Sequence, residues 1–312
     1  MSFDRLIKKI IETKNPSVAG LDPDIMQIPA FIRESAIREY GETFEAAEQM
    51  LIVFNTALID ALYDIVPAIK PQAAFYEMYG WHGVRALKYT IDYAKSLGMF
   101  VITDAKRGDI GSTMDAYAKG HLGTTKIGRS EHTAFGADAL TVNAYLGSDA
   151  IAPLSEICKA QDKGVFVLCK TSNKSSGELQ DIDVSGRTIY ETMGDLCETW
   201  GEGTDSEYGY SHIGAVVGAT YPQQLSDMRK RLPHTFFLVP GYGAQGGGAA
   251  DVAGAFDRNG YGAVINSSRG IMCAWQKEKC AEQDYAEAAR REALRMKEDL
   301  CSSLKAVGKE IK

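Results

Sequence analysis

Eight short apolar segments recur along the chain, and each is followed by a polar or glycine-rich turn. Most of them are continuously apolar rather than alternating, which is typical of parallel strands that are buried on both faces. The segments are Ser17–Leu21, Ala68–Lys70, Phe100–Thr103, Ala139–Asn143, Val165–Cys169, Ile213–Gly218, Phe236–Pro240 and Ala263–Asn266. Few architectures bury eight such strands on both faces.

Segments with helical periodicity lie between the predicted strands. The predicted helices are Phe3–Ile11, Phe44–Tyr63, Val84–Leu97, Ala150–Ala160 and a long charged helix from Asp284 to about Leu304. The first of them precedes the first strand and is placed to plug the bottom of a barrel. The alternation predicts an α/β protein, a (β/α)8 TIM barrel with extra N-terminal and C-terminal helices, with residues 1–312 as a single domain. A doubly wound sheet is the alternative on pattern alone.

Composition and charge argue against several classes of partner. The formal net charge of −7 makes an acidic surface, which disfavours nucleic acid and anionic membranes as partners. No segment approaches the roughly 18 consecutive apolar residues of a membrane span. The six cysteines form no CxxC pair, and the start MSFDRLIKKI is too short and too charged for a signal peptide. We therefore expect a cytoplasmic protein with reduced thiols.

Charged residues follow directly where the third predicted strand ends. Asp104 and Lys106 stand at alternate positions after Thr103, so they point to the same face if the strand continues. Asp109 lies just beyond them, in the turn. Nearby carboxylates keep a lysine protonated, and such an ammonium can stabilise a developing carbanion and then protonate it. A solvated, charged turn is the alternative interpretation of this motif taken alone.

Two other predicted strand ends also carry charges. Asp22 follows the first strand, and Lys70 ends the second. The functional residues of barrel enzymes lie at the C-terminal ends of the strands, where loops from several strands meet. This placement favours a catalytic site over a merely solvated turn.

A glycine-rich turn, Gly241–Gly246, follows the seventh predicted strand and formally matches the pattern GxGxxG. Too little chain follows it for the rest of a dinucleotide-binding domain, and Arg269 stands where an acidic residue would be needed. Turns after the seventh and eighth strands instead match the usual phosphate site of barrels, where Arg269 can form two hydrogen bonds with a phosphate. A plain turn is the alternative.

The sequence offers no recognisable metal or nucleophile site. None of the five histidines lies at a predicted strand end. No Ser/His/Asp or Cys/His set is visible, and no cluster of acidic residues and histidines suggests a metal. We therefore expect neither a metal nor another cofactor.

These motifs together resemble those of the orotidine 5′-phosphate decarboxylases. The segment 104–110, DAKRGDI, matches the DxKxxDI signature of that family. Its extension KRGDIG, together with the segments GLDP at 20–23, KPQ at 70–72 and KTSN at 170–173, is similar to the longer bacterial-type branch. The likeness runs in order from Ala19 to Gly270. The five ordered motifs are together highly specific for the family.

The resemblance implies a role for each matching residue. Lys106 would stabilise and then protonate the carbanion at C6 of the pyrimidine, and Asp104 would lie beside the departing carboxylate. Lys70 would hold Asp104 and the ribose, and Asp22 would bind a ribose hydroxyl. The other implied substrate-binding residues are Ser172 at the pyrimidine, Gln245 and Arg269 at the phosphate, and Ser268 beside them. Asp109 would be a catalytic residue that reaches the partner's site across a dimer interface, where Ile110 and Thr113 would also bind the substrate.

The implied function is conversion of orotidine 5′-phosphate to UMP and CO2 without a cofactor, the last step of de novo pyrimidine synthesis, in a homodimer with shared active sites. This substrate carries phosphate and carboxylate at opposite ends, and the chain offers Arg269 at one end and Lys70 and Lys106 at the other. Loss of CO2 leaves a vinylic carbanion with no π-acceptor, so a fixed ammonium is the available stabiliser.

Two alternatives remain open at this point. Sugar-phosphate decarboxylases and aldolases of the same barrel superfamily share DxKxxD but use Mg²⁺, which they hold with an acidic residue where this chain has Lys70. A non-catalytic phosphate-binding barrel is the other alternative. Such a protein would tolerate loss of Lys106, yet this chain keeps Lys106 with both of its carboxylates.

Overall fold

Eight parallel strands form a closed barrel in this computed structural model, which describes residues 2–243 and 247–312. Numbered in chain order, the barrel strands are β1 Ser17–Leu21, β2 Ala68–Pro71, β3 Phe100–Arg107, β4 Ala139–Val142, β5 Gly164–Lys170, β6 Ile213–Val217, β7 Phe237–Val239 and β8 Ala263–Ser267. Each strand pairs with its neighbours in sequence, and β8 pairs with β1 to close the barrel. The predicted barrel is confirmed, and the doubly wound alternative is wrong.

The third strand is longer and less regular than the sequence predicts. It continues through Arg107, and its pairing with β4 changes register between Thr103 and Arg107. Within this stretch Lys106 has a φ of 49°, in the left-handed region that residues other than glycine rarely adopt. The strand therefore bends at the DxKxxD motif.

Helices alternate with the strands and cover the barrel. The α-helices are α1 Ser2–Thr13, α2 Ala30–Tyr40, α3 Phe44–Leu62, α4 Ala74–Glu77, α5 Gly80–Ser96, α6 Gly111–His121, α7 Ser148–Gln161, α8 Ile189–Gly201, α9 Pro222–Arg231, α10 Ala249–Val252, α11 Arg269–Met272, α12 Ala274–Glu278 and α13 Tyr285–Ala306. Short 3-10 helices span Ile25–Gln27, Lys174–Glu178, Ala253–Ala255 and Glu282–Asp284. An antiparallel hairpin outside the barrel pairs Thr125–Ile127 with Ser130–His132.

The first helix closes the N-terminal end of the barrel, as the sequence predicts. The ring of Phe3 packs against Phe166 of β5 and Phe236, with centroids 4.8 and 5.2 Å apart. A Cβ at Gly164 would lie 2.8 Å from the Phe3 ring, so the close approach requires glycine at the start of β5. The plug leaves the opposite end, where the strands finish, as the open mouth of the barrel.

None of the helices in the two described ranges is both long enough and apolar enough to cross a membrane. The longest, α13, instead buries one stripe against the rest of the protein, with Ala289, Ala293, Met296, Leu300 and Leu304 shielded from solvent. Its polar face remains exposed, as is typical of an amphipathic helix that covers a barrel.

Candidate active site

Two adjoining cavities of about 430 and 470 Å³ open at the C-terminal ends of the strands. Lys70, Asp104 and Pro240 line both, so the cavities form one groove with a shared middle. The first cavity is also lined by Asp22, Ser268 and Arg269, and the second by Lys106, Thr141 and Ser172. The structure thus brings seven of the residues singled out in the sequence to one groove.

Asp104 lies at the centre of this groove and is almost completely buried. Its carboxylate accepts hydrogen bonds from Lys70 Nζ at 2.8 Å, from Lys106 Nζ at 2.6 Å and from Thr141 Oγ1 at 2.8 Å. Burial alone would raise the pKa of this carboxyl, but the two ammonium groups outweigh it and hold the pKa well below its usual range. Asp104 is therefore a carboxylate at neutral pH.

Lys70 is a buried cation between two carboxylates. Its side chain is 5% exposed, and Nζ lies 2.8 Å from Asp104 Oδ2 and 3.6 Å from Asp22 Oδ1. Burial alone would lower the pKa of Lys70, but the charges of Asp104 and Asp22 raise it above its ordinary value. The end of β2 therefore contributes a fixed positive charge to the floor of the groove.

Lys106 lines only the second cavity and is the more exposed of the two lysines there, with 46% of its side chain exposed against 5% for Lys70. Its left-handed backbone conformation costs roughly 1–3 kcal/mol, which the surrounding structure must offset. Thr141 helps to stabilise this backbone conformation, because its Oγ1 accepts a hydrogen bond of 3.0 Å from the backbone N–H of Lys106. The same hydroxyl donates to Asp104, so Thr141 fixes both members of the pair.

Thr141 is a residue of the site that the sequence did not predict. Its only signal was a hydroxyl group within the apolar run Ala139–Val142 of β4. The first cavity has further lining residues that no sequence motif identified: Asp24, Gln27, Phe75 and Asn266. Tyr242, from the glycine-rich turn after β7, lines it as well.

Ser268 and Arg269 follow β8 and line the first cavity. The Ser268 hydroxyl approaches β1 so closely that a Cβ at Gly20 would lie 1.9 Å from it. Asn266 Nδ2 donates to the same hydroxyl at 3.2 Å. Gln245, which was also expected here, lies outside the described residues.

Ser172 lies where the loop after β5 meets the end of β6. A Cβ at Gly218 would come within 2.9 Å of the Ser172 side chain, so a glycine is needed for this contact. The Gly218 N–H donates to Lys170 O at 2.7 Å, and Thr220 Oγ1 donates to Ser172 O at 3.4 Å. The backbone of Ser172 is thus held from the β6 side.

Three predicted residues do not line the groove of their own chain. Asp109, Ile110 and Thr113 follow β3, yet neither cavity includes them. Asp109 is half-buried and accepts a hydrogen bond of 2.8 Å from the Ile110 N–H, while the Ile110 side chain is 49% exposed. They occupy the rim of the barrel beside the groove.

The groove suits an anion with negative charge at both ends. Arg269 provides a cation in the first cavity, and Lys106 provides one in the second. In the two described ranges, no group of three or more histidine, cysteine, aspartate or glutamate side chains is arranged to hold a metal ion. Both oxygens of Asp104 already accept hydrogen bonds from lysine ammonium groups.

Comparison with known proteins agrees with this geometry. The model of the orotidine 5′-phosphate decarboxylase / HUMPS family matches residues 47–283. A protein from Rhodopirellula baltica named orotidine 5′-phosphate decarboxylase is 44% identical over 93% of this chain and 96% of its own length. One of the same name from Clostridium novyi is 39% identical over 96% of this chain and 98% of its own.

The fold comparison gives the same result. The crystal structure of a Toxoplasma gondii protein named orotidine-monophosphate-decarboxylase superposes on this chain with a TM-score of 0.78. It is 30% identical to this chain, and the match covers 98% of each chain. These matches in sequence and in structure show that the chain belongs to the orotidine 5′-phosphate decarboxylase / HUMPS family.

Proposed function

We propose that this chain converts orotidine 5′-phosphate to UMP and CO2, the last step of de novo pyrimidine synthesis. The observation that carries the proposal is the buried Asp104 carboxylate between two ammonium groups, both from residues that line the second cavity. Arg269 lines the same groove, in the cavity that does not include Lys106. The curated relatives with that activity in their names match this chain over nearly its full length.

The substrate spans the groove with its phosphate at Arg269 and Ser268. Gln245 is a further phosphate ligand in this proposal. The ribose then lies over Asp22 and Lys70, in the part of the first cavity nearest the shared middle. The pyrimidine enters the second cavity beside Ser172. This orientation brings the substrate carboxylate next to Asp104 and Lys106.

The reaction needs only the side chains already in the groove. The bond between C6 and the carboxylate carbon breaks, CO2 leaves, and the electron pair remains on C6. The Lys106 ammonium stabilises this charge and then donates a proton to C6, which leaves a neutral amine that is reprotonated from solvent. Asp104 and Thr141 hold Lys106 in place, so little reorganisation accompanies the step.

The charges of the groove favour this reaction over that of the Mg²⁺-dependent members of the superfamily. Mg²⁺ prefers oxygen ligands, but both oxygens of Asp104 bind ammonium groups, and Lys70 adds a buried positive charge. A non-catalytic phosphate-binding barrel would have no need of the strained backbone at Lys106.

The assay that tests the proposed function follows loss of orotidine 5′-phosphate by the purified chain in the presence of EDTA. We expect stoichiometric formation of UMP with EDTA present. Absence of turnover would contradict the proposed function. Turnover of orotidine 5′-phosphate only after Mg²⁺ is added would contradict the cofactor-free mechanism.

We further propose that the chain works as a homodimer whose subunits share their active sites. Exposed apolar side chains on neighbouring rim loops support this: Ile110 after β3 is 49% exposed, and Tyr145 and Leu146 after β4 are 79% and 51% exposed. Clusters of this kind mark interaction surfaces. In such a dimer Asp109, Ile110 and Thr113 would contact the substrate of the partner.

We also propose that the protein works in the cytoplasm and folds as a single domain. All six cysteines are free thiols in the structure, which fits a reducing compartment such as the cytoplasm. The helices before β1 and after β8 both pack on the barrel core, which supports a single domain over residues 1–312.

Replacing Arg269 by alanine is expected to weaken use of orotidine 5′-phosphate. A hydrogen bond to a charged group contributes roughly 1.5–3 kcal/mol, so kcat/KM should fall about 10- to 150-fold. Orotidine, which lacks the phosphate, should lose much less, since Arg269 has nothing to bind there. The measurement is kcat/KM for both substrates; equal losses would show that Arg269 does not bind the phosphate.

Replacing Thr141 by valine should lower kcat without unfolding the protein. The change keeps the side-chain shape but removes a hydrogen bond to the Asp104 carboxylate. A hydrogen bond to a charged group contributes roughly 1.5–3 kcal/mol. Thr103→Val is the matched control, because the Thr103 hydroxyl is buried in β3 without a hydrogen-bond partner among the described residues. We expect kcat to fall about 10-fold or more in Thr141→Val alone. Similar kcat values in the two variants would show that the Thr141 hydroxyl has no role in the reaction.

A further inference from the structure

A fully buried lysine outside the groove ends β5. The side chain of Lys170 is 0% exposed, and its Nζ lies 2.7 Å from Asp181 Oδ1. The rings of Tyr221 and Tyr190 lie 4.6 and 5.6 Å from the same Nζ. A buried ammonium without a counter-charge is strongly destabilising, so this arrangement depends on Asp181 staying in place.

Asp181 belongs to the connection between β5 and α8, residues 171–188, which we call the β5 loop. The loop also folds back onto its own base next to this ion pair. Gln180 Oε1 accepts a hydrogen bond of 2.9 Å from the Thr171 N–H, and Gln180 Nε2 donates to Thr171 Oγ1 at 2.8 Å. The middle of the loop is therefore tied to the end of β5 at two adjacent residues.

The same loop forms a wall of the second cavity. Its residues in that wall are Thr171, Ser172, Asn173, Ser175, Ser176, Leu179 and Gln180. Most of this wall lies between the two points where the loop is tied down, at Lys170 and at Asp181. The shape of the cavity therefore depends on contacts that themselves lie outside it, since neither Lys170 nor Asp181 lines it.

We propose that Lys170 and Asp181 are positioning residues, whose ion pair holds the β5 loop closed over the second cavity and so fixes the wall that contains Ser172. The inference rests on the proposed function for one point, that the pyrimidine of the substrate occupies this cavity. Lys170 acts on the substrate only through the loop. The loss of activity on replacing Lys170 should therefore differ in kind from the loss on replacing Lys106.

The test uses Asp181→Asn, which removes the charge and keeps the side-chain shape at a position that is 38% exposed. With the ammonium unpaired, the loop should open in most molecules. If only about a tenth of them have a closed loop, the apparent affinity for substrate falls about tenfold, because binding must first select that tenth. We expect KM to rise about tenfold while kcat at saturation stays within about twofold.

Proteolysis measures the loop directly and without substrate. Trypsin can cut after Lys174 and Arg187, which are both exposed in the β5 loop. We expect faster cleavage at these sites in Asp181→Asn than in the wild type, and protection of both proteins by saturating UMP. Thermal unfolding of each variant verifies that the fold itself is retained.

Two further variants make the comparison specific. Asp183→Asn is the matched control, because Asp183 lies in the same loop and accepts a hydrogen bond from the Gly186 N–H rather than binding Lys170. We expect it to match the wild type in KM and in cleavage. Asp181→Glu keeps the charge and should recover most of the affinity that Asp181→Asn loses.

The outcomes separate this inference from the proposed function. Wild-type KM and wild-type cleavage in Asp181→Asn would overturn the role of the ion pair, and so would a fall in kcat at unchanged KM. If the wild-type chain neither consumes orotidine 5′-phosphate nor is protected by UMP, the proposed function fails. Even in that case, the rates of trypsin cleavage of Asp181→Asn and Asp183→Asn without ligand would show whether the ion pair holds the loop.

Discussion

Replacement of Lys106 by alanine is expected to abolish decarboxylation and leave the fold intact. A positioned proton donor typically contributes 10²–10⁴-fold to rate, and Lys106 also supplies the charge that stabilises the carbanion, so kcat should fall by about 10⁴-fold or more. The fold should survive because 46% of the side chain is exposed and Asp104 keeps its bonds to Lys70 and Thr141. The measurement is kcat with orotidine 5′-phosphate, accompanied by thermal unfolding.

Lys88→Ala is a suitable control for loss of an exposed, ion-paired lysine. Lys88 pairs with Asp92 on the outer helix α5, and 35% of its side chain is exposed. It should retain wild-type kcat, since exposed pairs of this kind contribute roughly 0.3–0.5 kcal/mol to stability and nothing to the groove. A Lys106→Ala enzyme that kept more than about a tenth of wild-type kcat would be incompatible with Lys106 as the proton donor.

The barrel was predictable because its strands are buried on both faces. Each of the eight apolar segments corresponds to one barrel strand, with ends that differ by a few residues. The hairpin of 125–127 and 130–132 was not predicted, since all six of its residues are exposed and leave no apolar pattern. The helix α2 was missed for a related reason, because only Ile32 and Ala36 of its residues are buried.

The site was predictable where its residues directly follow strands. Parallel strands in a barrel end on one rim, so residues after different strands must meet there, and Asp22, Lys70 and Asp104 do. Thr141 was not predictable, because its role depends on the pairing of β3 with β4 and on the irregular backbone at Lys106. Neither follows from spacing along the chain.

The β5 loop shows a second limit of the sequence. The segment KTSN at 170–173 resembles a family motif, but the partner of its lysine lies in an irregular segment with no periodicity. Only the folded loop brings Asp181 to Lys170, and only burial makes that pair important. Residues that act by holding a loop leave no pattern of their own in a single sequence.

Replacement of Asp109 by alanine is expected to inactivate the proposed dimer. Asp109 follows β3 on the rim and lines neither cavity of its own chain, so we expect it to complete the site of the partner subunit. A two-fold axis makes both sites equivalent, each with Lys106 from one chain and Asp109 from the other. Lys106→Ala and Asp109→Ala homodimers should then both be nearly inactive, because every site contains one lesion.

Mixing the two inactive variants should restore activity. In a heterodimer one site carries both lesions and the other carries neither, so half of its sites are intact. Random re-association gives about half heterodimers, and roughly a quarter of wild-type activity should therefore return. The experiment unfolds, mixes and refolds the variants, verifies dimers by light scattering and measures loss of orotidine 5′-phosphate. If dimers form without any recovery of activity, Asp109 serves the site of its own chain, and the rim after β3 must move to bring it there.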